Sequence, residues 1–178
     1  MNALQRGLIF AALQVAMVSS LGAKLLWDRG HLPRGWAETR GYDPNLIIRG
    51  RYTSISLLVK ADKIFPGADA SSSRTALFNR GYGGQNVYLT VENGKVVANP
   101  TEQNTGLSVT APEWRNGEKV ATLYPPVAFF LPEHAADPTR IPRSEMLFLE
   151  VTIPKKGPPR PIRFGRNVNG AFTIIGIK

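Results

Sequence analysis

The sequence predicts a mainly β protein, a small sandwich or barrel of about eight strands behind one amino-terminal transmembrane helix. Three observations predict it. An uncharged run from Leu8 to Ala23 opens the chain. Segments with two-residue alternation follow from Arg51 onward. Pro and Gly, 14 and 17 residues of 178, punctuate those segments at short intervals. The rest of the composition sets limits. With 43% apolar and 20% charged residues, the chain has material for one core. Zero Cys excludes disulfides, thiolate metal sites and cysteine nucleophiles. His31 and His134 lie far apart, so no metal and no other cofactor is expected.

The first element is the apolar run. Lys24 interrupts it, but a lysine near a helix end can keep its stem in lipid and its ammonium among headgroups. Counted through Lys24, Leu8 to Trp27 is 20 residues. As a helix it is about 30 Å long, the thickness of a bilayer core. Trp27 then falls where interfacial aromatics sit. A cleaved signal peptide ending at Ser20-Leu21-Gly22 competes with this reading, as does a buried core helix. Gln14, Ser19 and Ser20 define no polar face, which argues against the second. Residues 1–27 are therefore read as an anchor, 28–42 as a connector and 43–178 as a β-rich domain. Arg6 on one side, against Lys24, Arg29, Arg34 and Arg40 on the other, favours a cytoplasmic carboxyl-terminal domain. A short amino terminus before an apolar run favours export as a signal anchor.

The strands follow in order. Thr53, Ile55, Leu57 and Val59 alternate with Tyr52, Ser54, Ser56 and Lys60, so one face is buried and one wet. Residues 64–85 read as a long excursion. Residues 87–98 read as a hairpin, with Asn93-Gly94 as its type I′ turn. Strands are expected at 106–110, 119–123 and 127–131, the last two separated by Pro125-Pro126. A short helical turn is expected within 137–145, capped by Asp137. Strands at 146–153, 161–164 and 171–177 complete the set.

Four clusters are candidates for chemistry. Arg49-Gly50-Arg51-Tyr52, with Asp43 as a bidentate partner for Arg49, is either a binding surface or an internal lock between loop and strand. Residues 155–166 carry Lys155, Lys156, Arg160, Arg163 and Arg166 and no acid. With Arg140 and Arg143 they are either a patch for anionic lipid, glycan or polymer, or a solvated hairpin guarding a sheet edge. Nucleic acid is not expected as a partner, since no base-stacking module is present. Ser56 and Lys60 share a strand face but stand about 13 Å apart, too far for a nucleophile and its base. Glu92 at a turn and Glu150 on a strand's outer face read as solvated surface. Gly81, Gly83 and Gly84 around Tyr82 match no phosphate-binding pattern.

Residues 42–59, YDPNLIIRGRYTSISLLV, resemble the bacterial family named for the motif GDYXXLXY. Asp43-Pro44, Arg49-Gly50 and Tyr52 stand at matching places. Arg51 replaces the motif's Asp, Ile55 its Leu and Leu57 its final Tyr, so no role for that acid carries over. Phe129–Glu133, FFLPE, resembles a second family segment that precedes a short helix. The resemblance implies a membrane-anchored, extracytoplasmic domain in the bacterial inner membrane, often encoded beside multi-pass membrane proteins. It draws attention to Glu133, although Pro-Glu before a helical turn is equally a capping device. It names no reaction.

The expectation is a non-enzymatic accessory domain docking on a multi-pass membrane protein, through Asp43, Arg49, Gly50, Arg51, Tyr52 and Glu133. The alternative is binding of an anionic glycan, lipid or polymer through the basic residues near the carboxyl end. A hydrolase with an unrecognised site is the third reading.

Overall fold

The computed structural model describes residues 2–42, 52–67, 84–115, 117–131, 142 and 145–176. The chain divides into two units, residues 1–32 and 33–178.

The first unit is one helix, α1 (Ala3–His31). Asn2 N–H donates to Gln5 Oε1 at 3.0 Å, which satisfies a donor at the helix start. Leu32 N–H donates to Asp28 O at 2.9 Å, and Pro33 cannot continue the helix. Residues 4–31 are long and apolar enough to cross a membrane. Leu8, Phe10, Val15, Val18, Leu21 and Trp27 are all exposed, so apolar side chains surround the helix axis without a core to cover them.

The second unit holds eleven strands among the described residues. They are β1 (Arg34–Tyr42), β2 (Tyr52–Lys60), β3 (Gln85–Glu92), β4 (Lys95–Pro100), β5 (Ser108–Val109), β6 (Glu113–Arg115), β7 (Glu118–Tyr124), β8 (Val127–Phe130), β9 (Met146–Thr152), β10 (Arg160–Val168) and β11 (Ala171–Ile175). Six of them close a barrel in the circuit β1–β2–β7–β5–β3–β4. All neighbours in the circuit are antiparallel except the closing pair, where β4 runs parallel to β1 with Lys95 opposite Trp36. Trp36 N–H donates to Gly94 O at 2.8 Å beside that seam. β9, β10 and β11 extend the sheet from β1 as an antiparallel wing. β8 pairs with the first half of β2, and β6 with β7.

Alternation places the core. Ile55, Leu57 and Val59 of β2 are fully buried, with Val87 of β3, Ala98 of β4, Ala121 of β7 and Leu149 of β9. The hairpin turn has Asn93 at φ +50° and Gly94 at φ +74°, as a type I′ turn requires. Leu89 lies opposite Ala98 and Val91 opposite Val96.

The sheet differs from the expectation in four places. Residues read as a connector form the end of α1 and the whole of β1. The core-facing positions of β1 are Gly35, Ala37 and Thr39, while Trp36 faces outward, so the usual hydrophobic alternation is inverted. A Cβ on Gly35 would stand 3.0 Å from Val96 and 3.1 Å from Val91, so the barrel seam requires a small residue there. β6 has only three residues and was not foreseen. The expected excursion begins with a core plug. Ile64 and Phe65 N–H donate back to Ala61 O, Phe65 is fully buried, and Lys119 Nζ donates to Phe65 O at 2.7 Å. Finally, β10 and β11 form a hairpin about Asn169 (φ +50°) and Gly170 (φ +89°), the same dipeptide as the first turn. The helical turn expected within 137–145, Pro142 and Glu145 apart, lies outside the described residues, as do residues 68–83.

Candidate functional site

Positions of even number on β1, β2, β7 and β9 share the outer face of the sheet. On β1 these are Trp36, Glu38 and Arg40; on β2, Leu58 and Lys60; on β7, Glu118 and Val120; on β9, Met146, Phe148 and Glu150. Gly165 of β10 and Phe172 of β11 continue the face across the wing, opposite Phe148 and Asn167. All of them but Arg40, Glu150 and Gly165, joined by Lys95 of β4 and Arg115 of β6, line a groove of about 550 Å³ outside the barrel. That volume is in the range of small-molecule and side-chain pockets.

The floor is apolar. Leu58 and Val120 point away from the core, yet only 3% and 7% of their surfaces are exposed. Two ion pairs explain this. Arg40 donates to Glu113 at 2.8 Å, and Arg115 donates to Glu38. Both join β1 to β6 across two intervening strands, so β6 stands over the barrel wall and the pairs shield the residues beneath.

The wing side is aromatic. Trp36 and Phe172 meet edge to face, centroids 4.9 Å apart, and Phe148 and Phe172 at 5.8 Å. The Phe172 ring lies against the backbone of Gly165, where a Cβ would stand 2.3 Å from Cζ. Arg163 places its guanidinium 5.8 Å from the Trp36 ring centroid. Its Nε donates to Glu150 Oε2 at 2.5 Å.

Electrostatically the groove is self-compensated. Its lining charges are Glu38, Lys60, Lys95, Arg115 and Glu118. Glu38 and Arg115 hold each other. Lys95 donates to both Glu118 oxygens, at 2.7 and 2.9 Å, and Lys60 stands 4.0 Å from Glu118 and 3.5 Å from Asp62. The Lys95 hydrogen bond, helped by the charge of Lys60, holds the Glu118 carboxyl below its ordinary value. A charged ligand would have to break one of these pairs; an apolar one would not.

Asp43, Arg49, Gly50, Arg51 and Glu133 lie outside the described residues. Tyr52 opens β2 directly opposite Phe130 of β8, and Thr53 opposite Phe129. The ladder thus pairs residues 52–55 with residues 127–130, the described parts of the two segments that meet. No protein-family model, curated protein or solved structure matches the chain.

The five basic residues near the carboxyl end do not form one face. Arg163 is engaged by Glu150 and Trp36, and Arg166 lies 3.2 Å from Glu145 at the far end of β10. Lys155, Lys156 and Arg160 sit at the other end, about 20 Å from Arg166 by strand rise. Glu150, expected to be solvated, is 7% exposed because Arg163 covers it. Glu92 pairs with Lys63 on the surface. Lys60 engages Glu118 and Asp62 rather than Ser56.

The groove itself was missed in the sequence. Its residues come from eight strands, and no local pattern joins them. One signal was present: Trp36 is a large aromatic whose neighbours on the core-facing side, Gly35 and Ala37, are small.

Proposed function

We propose that the chain is a single-pass membrane protein whose barrel serves as a non-enzymatic accessory domain, holding an uncharged apolar segment of a multi-pass partner in its outer groove. The observation that carries this reading is the groove. Its floor and one wall are apolar, and each charge that lines it already has a partner. Phe172 and Ile174 keep 47% and 48% of their surfaces exposed at its wing side. Such a surface gains by losing water to an apolar partner and offers no unsatisfied charge to a polar one. The self-paired acids and bases favour a binding role over acid–base catalysis. The exposed apolar surface of α1 supports an anchor, and the resemblance to the motif family supports extracytoplasmic placement in a bacterial inner membrane.

A photoreactive residue in place of Met146 tests the reading in native membranes. The expected product is one discrete adduct with a multi-pass protein that also co-purifies in equal amount, both lost in Phe172→Asp. Absence of an adduct, or one that survives Phe172→Asp in a folded variant, overturns it.

A further inference from the structure

One basic cluster plays no part in the groove. Ile153 N–H donates to Pro33 O at 3.0 Å, so the β9–β10 loop begins beside the first residue of the barrel unit. Thr152 lies opposite Arg34 on one side and Arg160 on the other. The loop between, residues 153–159, contains Pro154, Pro158, Pro159 and Gly157 at φ +89°, a stiff composition for a seven-residue connection. Ile153 packs against the core and fixes its base. Lys155 and Lys156 are exposed at its tip, and among the described residues neither has an ion-pair partner.

The covalent chain sets where this end can be. Leu32 alone separates Pro33 from His31, the last helical residue. That is at most about 7 Å of chain. The 28 apolar-rich residues of the helix span about 42 Å, enough for the hydrocarbon core and both headgroup layers. Trp27, Arg29 and His31 at its end are residue types that settle among headgroups.

We infer that the β9–β10 loop binds the headgroups of anionic phospholipids in the leaflet from which the helix emerges, with Lys155 and Lys156 on the phosphates. The inference rests on the anchor and is independent of the groove's occupant. Two lysines held on a stiff loop within a Debye length of an anionic surface gain roughly fivefold each in surface occupancy. Arg163 and Arg166 contribute nothing, since Glu150 and Glu145 already pair with them.

The chain has no cysteine, so Pro158→Cys offers a unique site for a fluorophore. The labelled full-length protein is placed in nanodiscs of phosphatidylcholine, with or without phosphatidylglycerol, and quenched with acrylamide, which is neutral. The expected result is quenching several-fold weaker in the anionic discs. The difference should vanish at about 0.5 M salt and in Lys155→Glu/Lys156→Glu. Equal quenching in the two discs overturns the inference, as does protection that persists in the charge-reversed pair. Protection by inorganic phosphate in phosphatidylcholine discs would move the site to a free anion and overturn the lipid assignment. Failure of the protein to co-elute with discs would instead sink the anchor on which the inference rests.

Discussion

The ring of Phe172 packs against Gly165, and any side chain at 165 would collide with that ring. Phe172 is in turn the contact that holds Trp36 and Phe148 in one aromatic wall. Gly165→Ala therefore forces the ring off β10. The expected cost is about 1–3 kcal/mol from overpacking. In the double variant Gly165→Ala/Phe172→Ala the two losses should fall short of their sum, because the tightest clash goes with the ring and only the 2.9 Å approach to Trp36 Cζ3 remains. Denaturant titration read by tryptophan fluorescence measures all three; strict additivity would refute the contact.

The Glu38–Arg115 pair closes the groove roof over Leu58. Glu38 has 13% of its side-chain surface exposed and Arg115 39%, so the pair is partly shielded from water. A cycle of Glu38→Gln, Arg115→Met and the double variant should give a coupling of about 0.5–3 kcal/mol. A coupling below about 0.3 kcal/mol would mean that solvent screens the pair as it does most surface pairs.

Glu118 sets a pH dependence. Lys95, and secondarily Lys60, lower its folded-state pKa below the unfolded value. Its contribution is therefore present above the ordinary glutamate range and is lost as pH falls through the folded-state pKa. Wild type should exceed Glu118→Gln in stability at pH 7, by under about 1 kcal/mol because the pair is largely exposed. The two should converge as pH falls below about 4. A gap that widens in acid would reverse the assignment.

The position of the carboxyl terminus decides between the charge rule and the export reading. A reporter active only outside the cytoplasm, fused after Lys178, is expected to be active, and a cytoplasm-only reporter silent. The opposite pattern would mean that Lys24, Arg29, Arg34 and Arg40 fix the orientation.

What the sequence disclosed follows from where the information is stored. β2 was legible because Ile55, Leu57 and Val59 alternate with polar residues, and the β3–β4 hairpin because Asn93-Gly94 dictates its turn. That the first helix is long and apolar enough to cross a membrane was legible from its uncharged run. β1 was not, because the barrel seam needs Gly35 and Ala37 where a strand usually shows large apolar side chains. The groove was not, because its defining relationships are long-range: Arg115 meets Glu38 across 77 residues. The basic run near the carboxyl end looked like one patch because adjacency in sequence hides direction. Along β10, Arg160 and Arg166 stand at opposite ends, and Arg163 points into an acid contributed by β9.

β1 has a further consequence for how the domain is made. It is the first strand to be synthesised, yet it is the hub of the sheet, contacting β2, β4 and β9. The hydroxyl of Thr39, buried in it, donates to Leu147 O, 108 residues downstream. β1 must therefore wait, half unpaired, while most of the domain emerges, and the sheet can be completed only after β9 has been made. Such long-range closure makes folding slow. It also makes truncations between β4 and β9 the ones in which the open edge of β1 would pair with the wrong strand.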